Sequence, residues 1–452
     1  MRIYTYTLFI MLATCQLFSQ NTVTYDSGES NRMEWWTEAR FGMFIHWGLY
    51  ALPARHEWVM SKEQISKKEY EKYAQYFDPD LFDPVEWAAL AKKAGMKYVV
   101  FTAKHHDGFC MYDSQYTSYK VTNTPARRDV FRELVDAFRA EGIRIGVYYS
   151  LIDWHHPDFT VKDPIHPERN NKSELNKDKN RNKERFQKYI KNQLTELLTN
   201  YGKIDVLFAD FSYPQRKNGK GKDYWNSRDL YTQIRSLQPQ IIINDRLDLM
   251  DEGGWDYRTP EQFMPNNWVT YQGAKVPWET CQTFSGSWGY FRDEYTWKSA
   301  KQTLVMLIET VSKGGNLILN VGPTARGVIQ EKAVERLNAT HDWMKYNSRA
   351  IYGCTAAPEN IETPSNSLLT FNPKTNRLYV HVLDWPFKTI YLPGMAGKVA
   401  YAQLLHDASE LKLKTTKGAW LDDIKQGDTG LKIEIPVRKP DVEIPVIELF
   451  LK

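Results

Sequence analysis

Tyr98-Val99-Val100-Phe101-Thr102-Ala103-Lys104-His105-His106-Asp107 begins as an apolar run and ends in a dense polar group. Its first half has the β-branched and aromatic content of a buried strand. The same plan recurs along the first three quarters of the chain. Phe41–Ile45 leads to His46-Trp47, Ile143–Tyr149 ends in Tyr148-Tyr149, and Ile204–Phe208 leads through Ala209 to Asp210. Ile241–Ile243 leads to Asn244-Asp245-Arg246, and a further run covers Leu317–Val321. Helix-spaced stretches lie between most of these runs. Asp83-Pro84 supplies an N-cap and an N1 proline for a helix to Lys93, which Gly95 closes. Arg128–Ala140 ends at Gly142, Arg181–Tyr201 at Gly202 and Thr296–Ser312 at Gly314. Strand, helix, Gly, strand, repeated about every forty to sixty residues, predicts βα units and a parallel sheet. Parallel strands share a direction, so their polar ends gather on one face, which in a (β/α)8 barrel is the active-site face. An open doubly wound sheet would follow its first strand with a Gly-rich phosphate loop, and none is present. The expectation is an α/β chain with a (β/α)8-like barrel over residues 21–350.

After Ala350 the pattern changes to short alternating runs: Leu368–Phe371, Leu378–Leu383, Thr389–Leu392, Leu431–Ile435 and Val442–Leu449. Pro, Gly, Asn and Asp separate them, which predicts an all-β sandwich over residues 351–452. Residues 1–20 read as a secretory signal peptide, with Arg2 ahead of the short apolar stretch from Leu8 to Leu12. An exported protein, periplasmic or extracellular, is expected, with lipid anchoring at Cys15 a minor alternative. No run reaches the roughly eighteen apolar residues of a spanning helix.

The 452 residues include 59 Lys+Arg, 55 Asp+Glu and 4 Cys. That cysteine content cannot staple a chain this long, and a net charge of +4 does not suggest a nucleic-acid binder. Cys110, Cys281 and Cys354 are expected as free thiols. The positive excess sits in Lys162–Lys191, read as a solvated loop and helix face or, more sharply, as a basic flap that attracts anionic substrate. Aromatics reach 14%. Trp47, Trp58, Tyr148, Phe208, Trp278 and Trp288 fall at strand ends or in loops around the expected pocket. Trp87, Trp297 and Trp343 fall inside helices and are expected to pack there.

Aromatic strand ends with carboxylates point to carbohydrate, whose C–H faces pack on rings while hydroxyls need polar partners. Retaining glycoside hydrolysis uses one ionised carboxylate as nucleophile and one protonated carboxyl as acid. Asp210, where its run meets the expected catalytic face, is the nucleophile candidate, and Asp205 near the run's start is structural. Glu57, Glu261 and Glu279, in aromatic or proline-rich loops, compete for the acid/base role. His105, His106 and Asp107 could bind hydroxyls or a metal, although neighbouring strand residues point to opposite faces. No cofactor and no metal are expected.

Phe41–Gly48, Glu57-Trp58, Lys104–Phe109 and Gly146–Ser150 resemble glycoside hydrolase family 29, the α-L-fucosidases, as do Asn244-Asp245-Arg246, Ser287–Tyr290 and Lys313–Pro323. The resemblance runs from about Trp35 to Tyr352. It implies exo-acting, retaining hydrolysis of terminal α-L-fucosyl residues of an oligosaccharide or glycoconjugate. It places the nucleophile on Asp210 and the acid/base on Glu261, with Glu279 as fallback. It places substrate binding on His46, Glu57, Trp58, His105, His106, Tyr148 and Arg246, with Phe208 and Trp288 as ring contacts. Phe208 stands where many members have Trp, and Phe211-Ser212-Tyr213-Pro214 is a variant found in part of the family. A fucose-binding protein without turnover and a metal-dependent hydrolase are the competing readings.

Overall fold

The structure, a computed structural model, describes residues 27–416 and 430–452. The segment read as a signal peptide, with Cys15, lies outside them. The expected apolar runs form strands β1 (Phe41–Ile45), β2 (Tyr98–Lys104), β3 (Arg144–Ser150), β4 (Val206–Asp210) and β5 (Ile242–Ile243). A small hairpin follows, β6 (Thr270–Tyr271) and β7 (Ala274–Lys275), then β8 (Glu279–Thr283) and β9 (Asn316–Val321). Seven of these make one parallel sheet in the order β5-β4-β3-β2-β1-β9-β8.

Residues 256–262 close the gap between β5 and β8. Single parallel bridges join Asn244 to Tyr257, Arg258 to Trp278 and Glu261 to Cys281. Asp256 N donates to Ile243 O at 2.7 Å and Gln262 N to Cys281 O at 3.0 Å. Pro260 has no N–H, which interrupts the ladder and leaves this eighth stave irregular. Isolated bridges, and not a continuous ladder, thus join the two edges of the curled seven-stranded sheet.

The helices start slightly later than their patterns suggest, because the preceding residue serves as cap. Asp129, Asn182 and Ser299 cap Val130–Ala140, Lys183–Asn200 and Ala300–Ser312. Asp83 caps Pro84–Lys93, accepting from Val85 N at 2.9 Å. Val130–Ala140 buries Phe131, Leu134, Val135 and Phe138 against the sheet. Each such side chain contributes about 1.5–3 kcal/mol. Trp87 and Trp343 lie in helices and are buried, as expected, whereas Trp297 precedes the helix Ala300–Ser312 and is half-buried. The N-terminal helix Ser27–Ala39 brings Trp36 onto Tyr257, with ring centroids 4.8 Å apart.

The C-terminal part consists of β10 (Thr355–Ala356), β11 (Ser367–Asn372), β12 (Arg377–Val382), β13 (Thr389–Leu392), β14 (Val399–Leu404), β15 (Lys412–Thr416), β16 (Gly430–Glu434) and β17 (Val446–Leu451). They form two antiparallel sheets, β10-β11-β12-β17-β14 and β13-β16-β15, around Leu378, Val380, Leu392, Ile433 and Ile447. β14 and β15 were not legible as runs; β15 alternates Lys and Leu with mostly exposed positions.

Candidate active site

The C-terminal ends of the barrel strands converge on one pocket. It is lined by the imidazoles of His46, His105 and His106 and by the rings of Trp58, Tyr148, Phe208 and Trp288. Asp210, Arg246 and Glu261 supply its charge.

Asp210 ends β4 and is 6% exposed. Its Oδ2 accepts from Tyr148 Oη at 2.6 Å, and its Oδ1 accepts from Arg246 Nη1 at 2.6 Å. Arg246 Nη2 reaches Glu261 Oε2 at 2.7 Å, so a single guanidinium joins both carboxylates. Arg246 Nε donates to Thr259 Oγ1 at 3.0 Å, which keeps the fork in place. Burial alone would lower its pKa, but Asp210 and Glu261 hold it well above the usual arginine value. Unlike Asp210, the Glu261 side chain is 43% exposed, open to a leaving group and to water.

Burial depresses the three histidines: His46 and His106 to about 3, and His105 well below its usual value. All three stay neutral at working pH, so each can offer one donor and one acceptor to a hydroxyl. Asn320 Nδ2 donates to Trp288 O at 2.7 Å, which turns Asn320 Oδ1 toward His46 Nδ1 at 2.6 Å. His46 therefore carries its proton on Nδ1 and leaves Nε2 as acceptor. Ser150 Oγ, which donates to Ile152 O, fixes His106 in the same tautomer at 2.8 Å. A buried pair beneath the histidine turn, Lys104 to Asp153 at 3.2 Å, holds the loop that carries them. Asp153 also accepts from the backbone of His155 and His156.

Several expected residues lie elsewhere. Glu57 is buried behind the pocket wall, where its Oε2 accepts from Gly289 N at 2.9 Å beside Trp288. Burial pushes its carboxyl up to about 7. Glu279 is corrected as fallback acid/base. It opens β8 opposite Asn316 of β9, at the far end of the barrel, bonded to Tyr98 and pushed up by burial to about 8. Trp47 follows His46 and so turns to the opposite face, packing on Phe82 and Trp87 rather than the pocket. Trp278, just before Glu279, is buried with its indole donating to Lys313 O. Asp107 turns away from the histidines and accepts from Phe109 N and Tyr70 Oη. Among the described residues, no three His, Cys, Asp or Glu side chains stand together as a metal-binding group. Asp205 accepts from Ile145 N and Arg144, a structural role as expected.

The basic segment is partly paired with carboxylates. Arg181 meets Glu174 and Asp178, Arg185 meets Asp158, and Lys191 meets Asp229. Arg169, Lys172, Lys179, Lys183 and Lys188 of the same segment form no ion pair among the described residues. Cys110, Cys281 and Cys354 are free and buried.

Sequence reasoning missed Asn320, Cys281 and Phe211 as site residues. Asn320 sits in a motif already quoted, and Cys281 lines the pocket where β8 meets the eighth stave. Phe211 follows the nucleophile candidate with φ +88°. A bulky residue there costs on the order of 1–3 kcal/mol, and such strain collects at functional sites. It presses the Phe211 ring onto Trp58 and His106, with centroids 5.6 and 5.1 Å away.

A family model described as alpha-L-fucosidase matches residues 10–349. The alpha-L-fucosidase of Dictyostelium discoideum is 28% identical, over 98% of this chain and 97% of that protein. The tissue alpha-L-fucosidase of Bos taurus is 32% identical, over 78% and 75%. Among solved structures, alpha-L-fucosidase isoenzyme 1 from Paenibacillus thiaminolyticus superposes with a TM-score of 0.88 at 44% identity, covering 94% of this chain and all of that one (100%). A Bacteroides thetaiotaomicron alpha-L-fucosidase of family GH29, trapped as a covalent intermediate with 2-fluoro-fucosyl fluoride, gives 0.79 at 28% identity, over 93% and 96%.

Proposed function

The chain belongs to the α-L-fucosidase family, and on that premise we propose that Asp210 is the nucleophile and Glu261 the acid/base of its pocket. The protein is a retaining α-L-fucosidase that acts on fucosylated glycans by double displacement. In the first step Asp210 attacks C1 of the fucosyl ring while the Glu261 carboxyl protonates the departing oxygen. The C1–O bond to the leaving sugar breaks, and a fucosyl ester of Asp210 remains. In the second step Glu261 takes a proton from water, whose oxygen attacks C1. Fucose leaves with its configuration retained, and Asp210 returns to the carboxylate.

The observation that carries this reading is the guanidinium of Arg246, bonded to Asp210 at 2.6 Å and to Glu261 at 2.7 Å. It holds the nucleophile in place and sets a second, more exposed carboxyl beside it. The neutral histidines suit the ring hydroxyls, and Phe44, Phe208 and Trp288 form an apolar wall. An apolar slot for the C6 methyl adds selectivity of only about 1–3 kcal/mol, so hydroxyl geometry supplies the rest. Proton NMR during hydrolysis of an aryl α-L-fucoside is the test. The first anomer to accumulate is expected to be α-L-fucose; first appearance of the β anomer, or binding without turnover, would reject the mechanism.

We further propose that residues 1–20 direct export. N-terminal sequencing of protein recovered outside the cytoplasm is expected to begin near Asn21; an intact Met1 there would count against it.

A further inference from the structure

We propose that Asn244 and Asp245 are positioning residues that set the spacing of Asp210 and Glu261. The Asn244 amide holds the strand that ends in the nucleophile, and the Asp245 carboxylate holds the stave that carries the acid/base. The assignment rests on the reading of the pocket as an α-L-fucosidase site. Retaining hydrolysis needs its two carboxyl groups roughly 5–5.5 Å apart. β4 pairs with β5 only at Val206–Ile242 and Leu207–Ile243, so that ladder stops short of Asp210. Beyond Tyr257 the backbone of the eighth stave bonds to the β8 side, Arg258 N to Pro277 O and Gln262 N to Cys281 O at 3.0 Å each. Side chains of the turn after β5 cross the remaining gap.

Asn244 is fully buried, and its amide takes over where the ladder ends. Its Oδ1 accepts from Ala209 N at 3.1 Å, and its Nδ2 donates to Ala209 O at 3.0 Å. A side-chain amide carries both a donor and an acceptor. It therefore pairs with both backbone groups of the residue before Asp210, as a neighbouring strand would. On the opposite side β3 pairs with β4 as far as Ser150 and Asp210. The end of β4 is thus gripped from both sides, while the chain after Asn244 is free to turn. It does so at once, in a short 3-10 turn over Asp245–Leu247. Ser212 Oγ donates to Arg246 O at 2.7 Å and ties that turn to the loop after Asp210.

Asp245 acts toward the other side of the turn. Its Oδ2 accepts from Arg258 Nε at 2.8 Å and its Oδ1 from Thr259 Oγ1 at 2.6 Å. Thr259 directs its one hydroxyl proton to Asp245 and so turns a lone pair to Arg246 Nε, 3.0 Å away. The carboxylate thereby fixes two consecutive residues of the stave just before Pro260-Glu261. Adjacent side chains thus serve the two halves of the site, Asn244 the nucleophile strand and Asp245 the stave of the acid/base. Neither is among the residues that line the fucosyl pocket, so each acts through the carboxyl it places. A misplacement of about 1 Å in a reacting group costs on the order of 10²-fold in rate.

The test compares kcat/KM on a fucosyl disaccharide, whose leaving oxygen needs a proton, with kcat/KM on a dinitrophenyl fucoside, whose leaving oxygen does not. Both report formation of the fucosyl ester. Asn244→Ala is expected to lose about 10²-fold on both, because the nucleophile serves every leaving group. Asp245→Ala is expected to lose about 10²-fold on the disaccharide and less than about threefold on the dinitrophenyl fucoside, because only the acid is displaced. Thr259→Val has nearly the same shape without the hydroxyl and is expected to follow Asp245→Ala. It sits at a half-buried position and tests the arrangement even if Asn244→Ala does not fold. The inhibition constant of fucose is expected to stay within about threefold of wild type in each variant, since the pocket walls are untouched. Equal losses on both substrates in Asp245→Ala and Thr259→Val would overturn the proposal. So would a loss in Asn244→Ala confined to the disaccharide, near-wild-type rates throughout, or a rise in the fucose constant that matches the loss of rate. A wild type that hydrolyses neither substrate would instead place the fault with the fucosidase reading.

Discussion

Replacing Asp210 with Gly is expected to reduce kcat on an aryl α-L-fucoside by on the order of 10⁴-fold, or about 5.5 kcal/mol of transition-state stabilisation. The variant removes the nucleophile while leaving the pocket walls in place, and it opens a space the size of a carboxylate against C1. Azide can enter that space and attack C1 directly. The expected product is β-L-fucosyl azide, inverted relative to the substrate, with a rate that rises with azide concentration. The loss arises in chemistry and not in binding, so KM is expected to move little. Tyr148 and Arg246 lose their common acceptor, and some destabilisation follows. Intact folding by near-UV circular dichroism would separate that from a catalytic defect. Near-wild-type turnover in Asp210→Ala would contradict the assignment.

Glu261→Ala is expected to behave differently with each leaving group. General acid catalysis is worth about 10²–10⁴-fold, but only where the departing oxygen needs a proton. A fucosyl disaccharide should lose that full factor, while a dinitrophenyl fucoside should form the fucosyl ester at close to the normal rate. The second step then becomes limiting, because no base activates water. Azide needs no base, and it should attack the ester to give α-L-fucosyl azide with retention. The two variants thus yield azides of opposite configuration, which separates nucleophile from acid/base in one assay. Equal losses on both leaving groups without an azide response would remove Glu261 from the role.

Much of this site was legible in the sequence, for a physical reason. β1 to β5 and β9 are buried on both faces, so they appear as unbroken apolar runs whose polar ends mark the catalytic face. Asp210 could be placed from that alone. The other two staves carry polar residues: Tyr257–Glu261 bears Arg258 and Glu261, and β8 reads Glu-Thr-Cys-Gln-Thr. Neither has an apolar signature, so Glu261 was one of three candidates from its loop and only the family resemblance ranked it first. Separating Glu279 from Glu261 required register, because one opens β8 and the other lies beside its middle residue Cys281. Trp47 was misplaced because strand alternation turns it from the pocket that receives His46. The pairing of Lys162–Lys191 was hidden for another reason: Asp158 and Asp229, which neutralise Arg185 and Lys191, lie outside the segment.

The central claim is that Asp210 carries the fucosyl group during turnover. Incubation with 2-deoxy-2-fluoro-fucosyl fluoride slows both steps by disfavouring positive charge at C1, while fluoride leaves readily enough for the ester to accumulate. Digestion and tandem mass spectrometry would then locate the label. It is expected on Asp210, within the peptide that joins β4 to Phe211-Ser212-Tyr213. A label on Glu261, or on any other residue, would contradict the account.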